Sequence, residues 1–227
     1  MKNSECSIQK CQLFFWSLLT LIISGTLFLL MNGKSESFIL LNQYHTFWLN
    51  VFFINYTFLG DGIFPICLIL LCFFWKKKKL GATLLFAFLF SGIIAQIIKH
   101  IVSAPRPKLF FGNSEQWCFI NGIHFSLSNS FPSGHTTTAF AIASVLVLMI
   151  KDKKFQLPVL LAAALVGFSR IYLGQHFLID VLIGSIIGTL SGIACVYIVQ
   201  RYDWFNLKQW QIFNYKRESS VPSPEPI

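Results

Sequence analysis

The sequence predicts an all-α integral membrane protein, a six-transmembrane-helix bundle with an outer interfacial amphipathic helix. Three observations predict it. Hydrophobic residues make up 55% of the 227 residues and charged residues 12%, about half the charged share of a soluble domain. Six apolar stretches approach the roughly 20 residues that carry a helix across a ~30 Å hydrocarbon core. The segments between them alternate between basic and nearly neutral, which is the pattern that orients a multi-pass chain.

The first stretch, Leu13–Met31, is long for a signal sequence and is followed by no small-residue cleavage site. It reads as an uncleaved signal-anchor helix. Ser37–Tyr56 mixes Phe38, Leu40, Leu41, Phe47, Trp48, Val51 and Phe52 with Asn42, Gln43, His45 and Asn50, and reads as the amphipathic helix in the outer interface. Gly60-Asp61-Gly62 would break it from the second span, Phe58–Trp75. The third span is Leu80–Ile98, the fourth and fifth are the shorter Thr136–Ile150 and Leu157–Ile171, and the sixth is Phe177–Val199. Tyr202–Tyr215, rich in Trp and Phe, suits the inner interface. The proline-containing stretch 216–227 reads as a disordered cytoplasmic tail, which leaves residues 1–215 as one membrane domain.

Charge sets the orientation. Lys2, Lys10, Lys76–Lys79, Lys151, Lys153, Lys154, Arg201, Lys208, Lys216 and Arg217 account for 13 of the 18 Lys and Arg residues. All fall on one side of the expected bundle. The positive-inside rule makes both termini cytoplasmic and turns the loops after the first, third and fifth spans outward. The net charge of +9 is thus a matter of topology. Nucleic-acid binding is disfavoured, because the basic residues do not share one soluble face. The six cysteines form no CxxC pair, so neither a zinc site nor a disulfide framework is indicated.

Ionisable residues at membrane depth are expensive and mark function by default. Here they converge on the outer ends of the helices. Lys99 ends the third span and Arg106 follows it. Ser133-Gly134-His135 opens the fourth, Arg170 ends the fifth, and His176 and Asp180 open the sixth. These residue types suit a phosphate. Lys99, Arg106 and Arg170 bring three positive charges, and an arginine fork can bind two phosphate oxygens at once. Ser133 and Gly134 stand at a helix start, where free N–H groups and the helix dipole favour an anion. His176 and Asp180, four residues apart, share a helix face. The carboxylate can hold one ring nitrogen and raise the basicity of the other, which could then attack phosphorus. His135 could protonate the leaving oxygen and afterwards activate water.

The same residues carry a family resemblance. Lys99-His-Ile-Val-Ser-Ala-Pro-Arg106-Pro107 resembles the first motif, Lys-x6-Arg-Pro, of the type 2 phosphatidic acid phosphatase superfamily. Pro132-Ser-Gly-His135 is similar to the second motif, and Ser169-Arg170-x5-His176-x3-Asp180 to the third. The resemblance covers the second to sixth spans. It implies a metal-independent phosphatase without a cofactor, with His176 as nucleophile, Asp180 as its partner and His135 as acid. Lys99, Arg106, Ser133, Gly134 and Arg170 would bind the phosphate. The implied partners are a lipid phosphate substrate and membrane lipids. The candidates are undecaprenyl diphosphate, lipid A, phosphatidylglycerol phosphate and phosphatidic acid. A lipid phosphotransferase using the same phosphohistidine, and a non-catalytic lipid-phosphate binding or transport protein, are the alternatives.

Two further residues are candidates for supporting roles. Asp61 is expected to cap the second helix, with a place beside one of the cations as the alternative. His124 is expected at the surface of the outer loop, with substrate contact as the alternative. That loop, Ser103–Phe131, holds Phe110, Phe111, Trp117, Phe119, Phe125 and Phe131. It is expected either to anchor in the headgroup region or to cover the passage of a lipid tail.

Overall fold

The computed structural model describes residues 8–112, 120, 128–150 and 152–202. The expectations for His124, Trp117, Phe119, Phe125 and the tail lie outside the described residues. Among the described residues, every regular element is helical. The helices are α1 (Gln12–Asn42), α2 (Phe47–Tyr56), α3 (Ile63–Phe74), α4 (Lys78–Val102), α5 (Pro107–Phe111), α6 (Gly134–Ile150), α7 (Gln156–Tyr172) and α8 (Leu178–Tyr202). Among the described residues, four helical stretches are long and apolar enough to cross a bilayer. The stretches Phe47–Gly60 and Ile63–Phe74, bent by 53° at their junction, have together the length and apolarity of a broken span or a re-entrant loop. α6 is a shorter apolar helix of 17 residues.

α1 changes character at Gly33, whose φ of 75° interrupts the helix, a conformation that glycine adopts without steric cost. Below the break α1 is largely open to lipid through Trp16, Ile23, Leu27, Leu30 and Met31. Above it, Ser37, Phe38 and Asn42 are buried. The two ends of α1 are tied to the two ends of α7. Gln156 accepts the Phe14 N–H at 3.1 Å and donates to the Lys10 carbonyl at 2.9 Å. At the other end, the Asn42 amide donates to the carbonyls of Ile171 at 3.2 Å and Tyr172 at 2.8 Å, at the helix end where carbonyls run out of i+4 donors.

The stretch Ser37–Tyr56 is therefore not one amphipathic helix. Its first third completes α1, and Thr46 caps a separate α2 by accepting the Leu49 N–H at 3.3 Å. α2 exposes Phe47, Trp48, Leu49, Val51, Phe52 and Ile54, which is apolar surface all round rather than one polar and one apolar face. Its ten residues continue through the turn Thr57–Gly60 towards α3. The break expected at Gly60-Asp61-Gly62 is where the chain bends.

α6 lies at the centre, with its most extensive contact on α8 and further contacts on α4 and α7. Gly184, Gly188 and Gly192 recur every four residues along α8 and face α6. A Cβ at Gly184 would come within 2.9 Å of the Ser133 carbonyl oxygen, and one at Gly192 within 2.7 Å of the Ala141 carbonyl oxygen. Small residues at this spacing let two helix backbones approach closely where no hydrophobic effect drives them together. The approach also sets the starts of α6 and α8 side by side, where the Ser133 N–H donates to the Asp180 carbonyl at 3.0 Å.

Candidate active site

The start of α8 is set by the way α7 ends. The Leu173 N–H donates to the Ser169 carbonyl at 2.9 Å. Gly174, at φ 66°, reverses the chain, and the N–H groups of Gln175 and His176 return to the Arg170 carbonyl at 2.9 and 3.2 Å. This closed turn fixes His176 just before α8. Its Nδ1 lies 3.4 Å from Asp180 Oδ2, and both side chains are 2% exposed. The same carboxylate oxygen accepts the Phe177 N–H at 2.9 Å and the Ser130 hydroxyl at 2.5 Å. Ser130 Oγ also lies 3.5 Å from His176 Nδ1. Asp180 is thus held from two sides. A carboxylate facing Nδ1 favours the tautomer protonated there, which puts the lone pair on Nε2.

The cations come from three elements. Ser103, in the left-handed region at φ 44°, stops α4, and its N–H donates to the Lys99 carbonyl at 3.0 Å. Arg106 follows in extended conformation, as a residue before proline prefers, and Pro107 opens α5. The Lys99 ammonium donates to the Asn129 carbonyl at 3.3 Å, and Arg106 Nε donates to the Ser128 carbonyl at 3.1 Å. Arg106 also reaches Gln175 Oε1 at 2.7 Å, which joins the first motif to the turn before His176. Arg170, 8% exposed, donates to Thr57 Oγ1 at 2.8 Å, and its Nε is buried without a partner.

The third component is the start of α6. Lys99 Nζ lies 3.9 Å from where a Gly134 Cβ would be, so the ammonium stands over the helix N-terminus. The hydroxyl oxygen of Ser133 is taken up by the helix start, accepting from the Thr136 N–H at 3.4 Å and the Thr136 hydroxyl at 2.8 Å. Its N–H goes to Asp180, so its role in the described geometry is to hold α6 against α8. His135, half-buried on the first turn, feels the charges of Arg170, Lys99 and Arg106 together. Gly60 packs directly against His135 and Val166. A Cβ there would stand 2.9 Å from both the Cβ and the carbonyl oxygen of His135.

The structure therefore brings Lys99, Arg106, Ser133, Gly134, His135, Arg170, His176 and Asp180 to one end of the bundle. Asp61 takes a middle course. Its carboxylate accepts the Gly62 N–H at 2.7 Å beside the start of α3, and its charge also acts on Arg170. Sequence reasoning passed over Ser130, Thr57, Gln175 and Gly60. Ser130 stands in a Ser/Asn-rich loop, Gln175 is an unspecified position inside the third motif, and Thr57 and Gly60 have no charge or spacing that ties them to the motifs.

His176 lies in the turn between α7 and α8. Burial away from water pushes its pKa down to about 4, against the pull of Asp180, and the charges of Arg170 and Arg106 push the same way as burial. The imidazole is therefore neutral at physiological pH, the state in which its free nitrogen can act as a nucleophile.

Residues 80–204, which include every motif residue above, match the PAP2 superfamily. The chain belongs to the PAP2 superfamily. It is similar to phosphatidylglycerophosphatase B of Bacillus subtilis (strain 168), with 32% identity over 156 residues, 63% of this chain and 71% of that protein. It is 28% identical over 122 residues to a lipid A 1-phosphatase of Rhizobium johnstonii, spanning 54% of this chain and 49% of that one. It is 26% identical over 133 residues to an undecaprenyl-diphosphatase of Sulfolobus acidocaldarius, spanning 57% and 60%. Among solved structures, Aquifex aeolicus LpxE superposes with a TM-score of 0.64 at 32% identity, covering 72% of this chain and 94% of that one. The first transmembrane PAP2 type phosphatidylglycerolphosphate phosphatase from Bacillus subtilis superposes with a TM-score of 0.61 at 26% identity, covering 85% and 96%. With its apolar helices, the chain is a multi-pass membrane protein of the PAP2 superfamily. α1–α3 lie outside the matched residues, and the segment they span supplies Thr57 and Gly60 to the site.

Proposed function

We propose that this PAP2 protein hydrolyses a lipid phosphate ester or anhydride at the outer leaflet, through a phosphohistidine on His176 and without a metal ion. The observation that carries the proposal is the buried Ser130–Asp180–His176 cluster, set beside His135 and three cations from separate elements. Nε2 of His176 attacks phosphorus. The bond to the leaving oxygen breaks, and His135 delivers a proton to that oxygen. His135 then takes a proton from water, the hydroxide attacks the phosphoryl group, and inorganic phosphate leaves His176 free. Lys99, Arg106 and Arg170 supply the positive charge that the equatorial oxygens need as the transition state forms. The activities in the relatives' names support the reaction class. They also support undecaprenyl diphosphate, lipid A or phosphatidylglycerol phosphate as the substrate, of which the first two suit an outward-facing site best, and the motif resemblance adds phosphatidic acid to the candidates.

The excess of Lys and Arg on one side supports cytoplasmic termini and an outward-facing site. The sixth crossing is α6. At about 1.5 Å per residue it spans some 25 Å, and its position inside the bundle spares it contact with lipid. The test is phosphate release in detergent from a panel of those four lipids, with His176→Ala as the blank. Wild type should release phosphate and form an acid-labile phosphoenzyme, His176→Ala should do neither, and EDTA should leave the rate unchanged. Activity abolished by EDTA and restored by magnesium would overturn the metal-free mechanism.

A further inference from the structure

Lys34 belongs to none of the motifs, lies outside the residues matched to the family, and has so far served only as a topological charge. Its setting is not that of a charge reaching for water. The break at Gly33 turns the upper part of α1 inward. The Lys34 ammonium lies 4.1 Å from the ring centroid of Phe177 and 5.1 Å from that of Phe110. Phe177 is fully buried, packs against Phe38 and Phe110, and directly follows His176. A lysine that snorkels extends its head outward along the lipid face. This one, half-buried, lies across aromatic rings, and among the described residues it meets two rings and no carboxylate. An ammonium held against aromatic faces has lost part of its water and still has three N–H donors to satisfy. An anion does both.

We infer that Lys34 recognises the phosphate that the substrate keeps after its terminal phosphoryl group has moved to His176. The inference rests on the lipid-phosphatase reading above. The transferred group is already served by Lys99, Arg106 and Arg170. Lys34 Nζ lies over the ring of Phe177, the residue next to His176, so this ammonium is placed for a group beside the one that is transferred. In a prenyl diphosphate that group is the inner phosphate, one bridging oxygen away, and in phosphatidylglycerol phosphate it is the phosphodiester, one glycerol unit away. Phosphatidic acid keeps no such anion. The long flexible lysine stem suits a point contact with either.

The experiment compares wild type with Lys34→Gln on three lipids. KM for the substrates that keep a phosphate should rise roughly tenfold, the scale of one charge-assisted hydrogen bond, with kcat little changed. KM for phosphatidic acid should stay the same, and Lys34→Arg should restore the loss. An effect on prenyl diphosphate alone, or on phosphatidylglycerol phosphate alone, supports the inference and identifies which retained phosphate is read. Equal effects on all three lipids, or none on any, overturn the inference. A second measurement needs no turnover. Thermal stabilisation in detergent by inorganic pyrophosphate should exceed that by orthophosphate in wild type, and the difference should vanish in Lys34→Gln. Wild type without that preference also overturns the inference. A wild type that binds pyrophosphate in this way but hydrolyses none of the lipids defeats the phosphatase reading instead. Lys34→Met, which keeps a stem to lie on Phe177, replaces the glutamine variant if that one does not fold.

Discussion

Replacing Ser130 with alanine removes one hydroxyl from the site and little else. In the wild-type protein that hydroxyl donates to Asp180 Oδ2 at 2.5 Å, while the Phe177 N–H donates to the same oxygen at 2.9 Å and His176 Nδ1 lies 3.4 Å away. Asp180 in the variant keeps its backbone donor but loses the support on the loop side, so the carboxylate is freer to rotate and the imidazole with it. A hydrogen bond to a charged group contributes about 1.5–3 kcal/mol, and about 1.4 kcal/mol is a factor of ten in rate. Because the Phe177 N–H remains, the lower end applies, and kcat should fall roughly tenfold. KM should hold, since Ser130 touches no expected phosphate ligand. The assay is single-turnover formation of the phosphoenzyme from a radiolabelled lipid phosphate, with circular dichroism as the check on folding. Ser130→Thr, which keeps the hydroxyl, should recover most of the rate. An alanine variant as fast as wild type would refute the claim that Ser130 positions the pair. So would one as inert as His176→Ala, because the hydroxyl would then be part of the chemistry itself.

Three other consequences follow from the same geometry. Burial lowers the pKa of His176 to about 4, so the neutral nucleophile persists as pH falls through the ordinary histidine value of about 6.5. Phosphoenzyme formation should therefore lose its rate only near the lowered value, and an acid limb centred near 6.5 would contradict the burial argument. Thr57→Val removes the acceptor of the Arg170 guanidinium, leaving Nη1 in the state that Nε already occupies. KM for the lipid phosphate should rise several-fold with a smaller change in kcat, as measured by steady-state phosphate release. Gly188→Val drives the new Cβ into the Thr137 carbonyl oxygen and within 3.0 Å of the Ala141 nitrogen. Overpacking of this kind costs about 1–3 kcal/mol, and rigid backbone on both sides puts this case at the upper end. The melting temperature in detergent should drop, and activity should fall with it, because α6 carries His135 and α8 follows directly on His176.

Much of the protein was legible as sequence. The spans of α4, α6, α7 and α8 begin and end within a few residues of the apolar runs, because length and hydrophobicity alone dictate a membrane helix. The bend after Gly60 follows from glycine and aspartate placed together in an apolar stretch. The expectation over Ser37–Tyr56 was the weak one. Its alternation of Asn and Gln with aromatics looked like one amphipathic face, but Asn42 turns into the bundle to hold the end of α7. A polar residue that satisfies a helix end has the same appearance in sequence as one that faces headgroups.

Composition and the three ordered motifs determined the class of the molecule and the ionisable members of its site. Charges at membrane depth are too costly to be incidental, and their types and spacings name the chemistry they suit. Tertiary structure alone decided how those groups are held. Ser130 reaches Asp180 across 50 positions of chain, and Thr57 reaches Arg170 across 113. Lys34 reaches Phe177 only because α1 breaks at Gly33. A neutral hydroxyl, or a lone lysine at a helix bend, has no periodicity and no local partner to mark it. Its meaning comes from what the fold places against it.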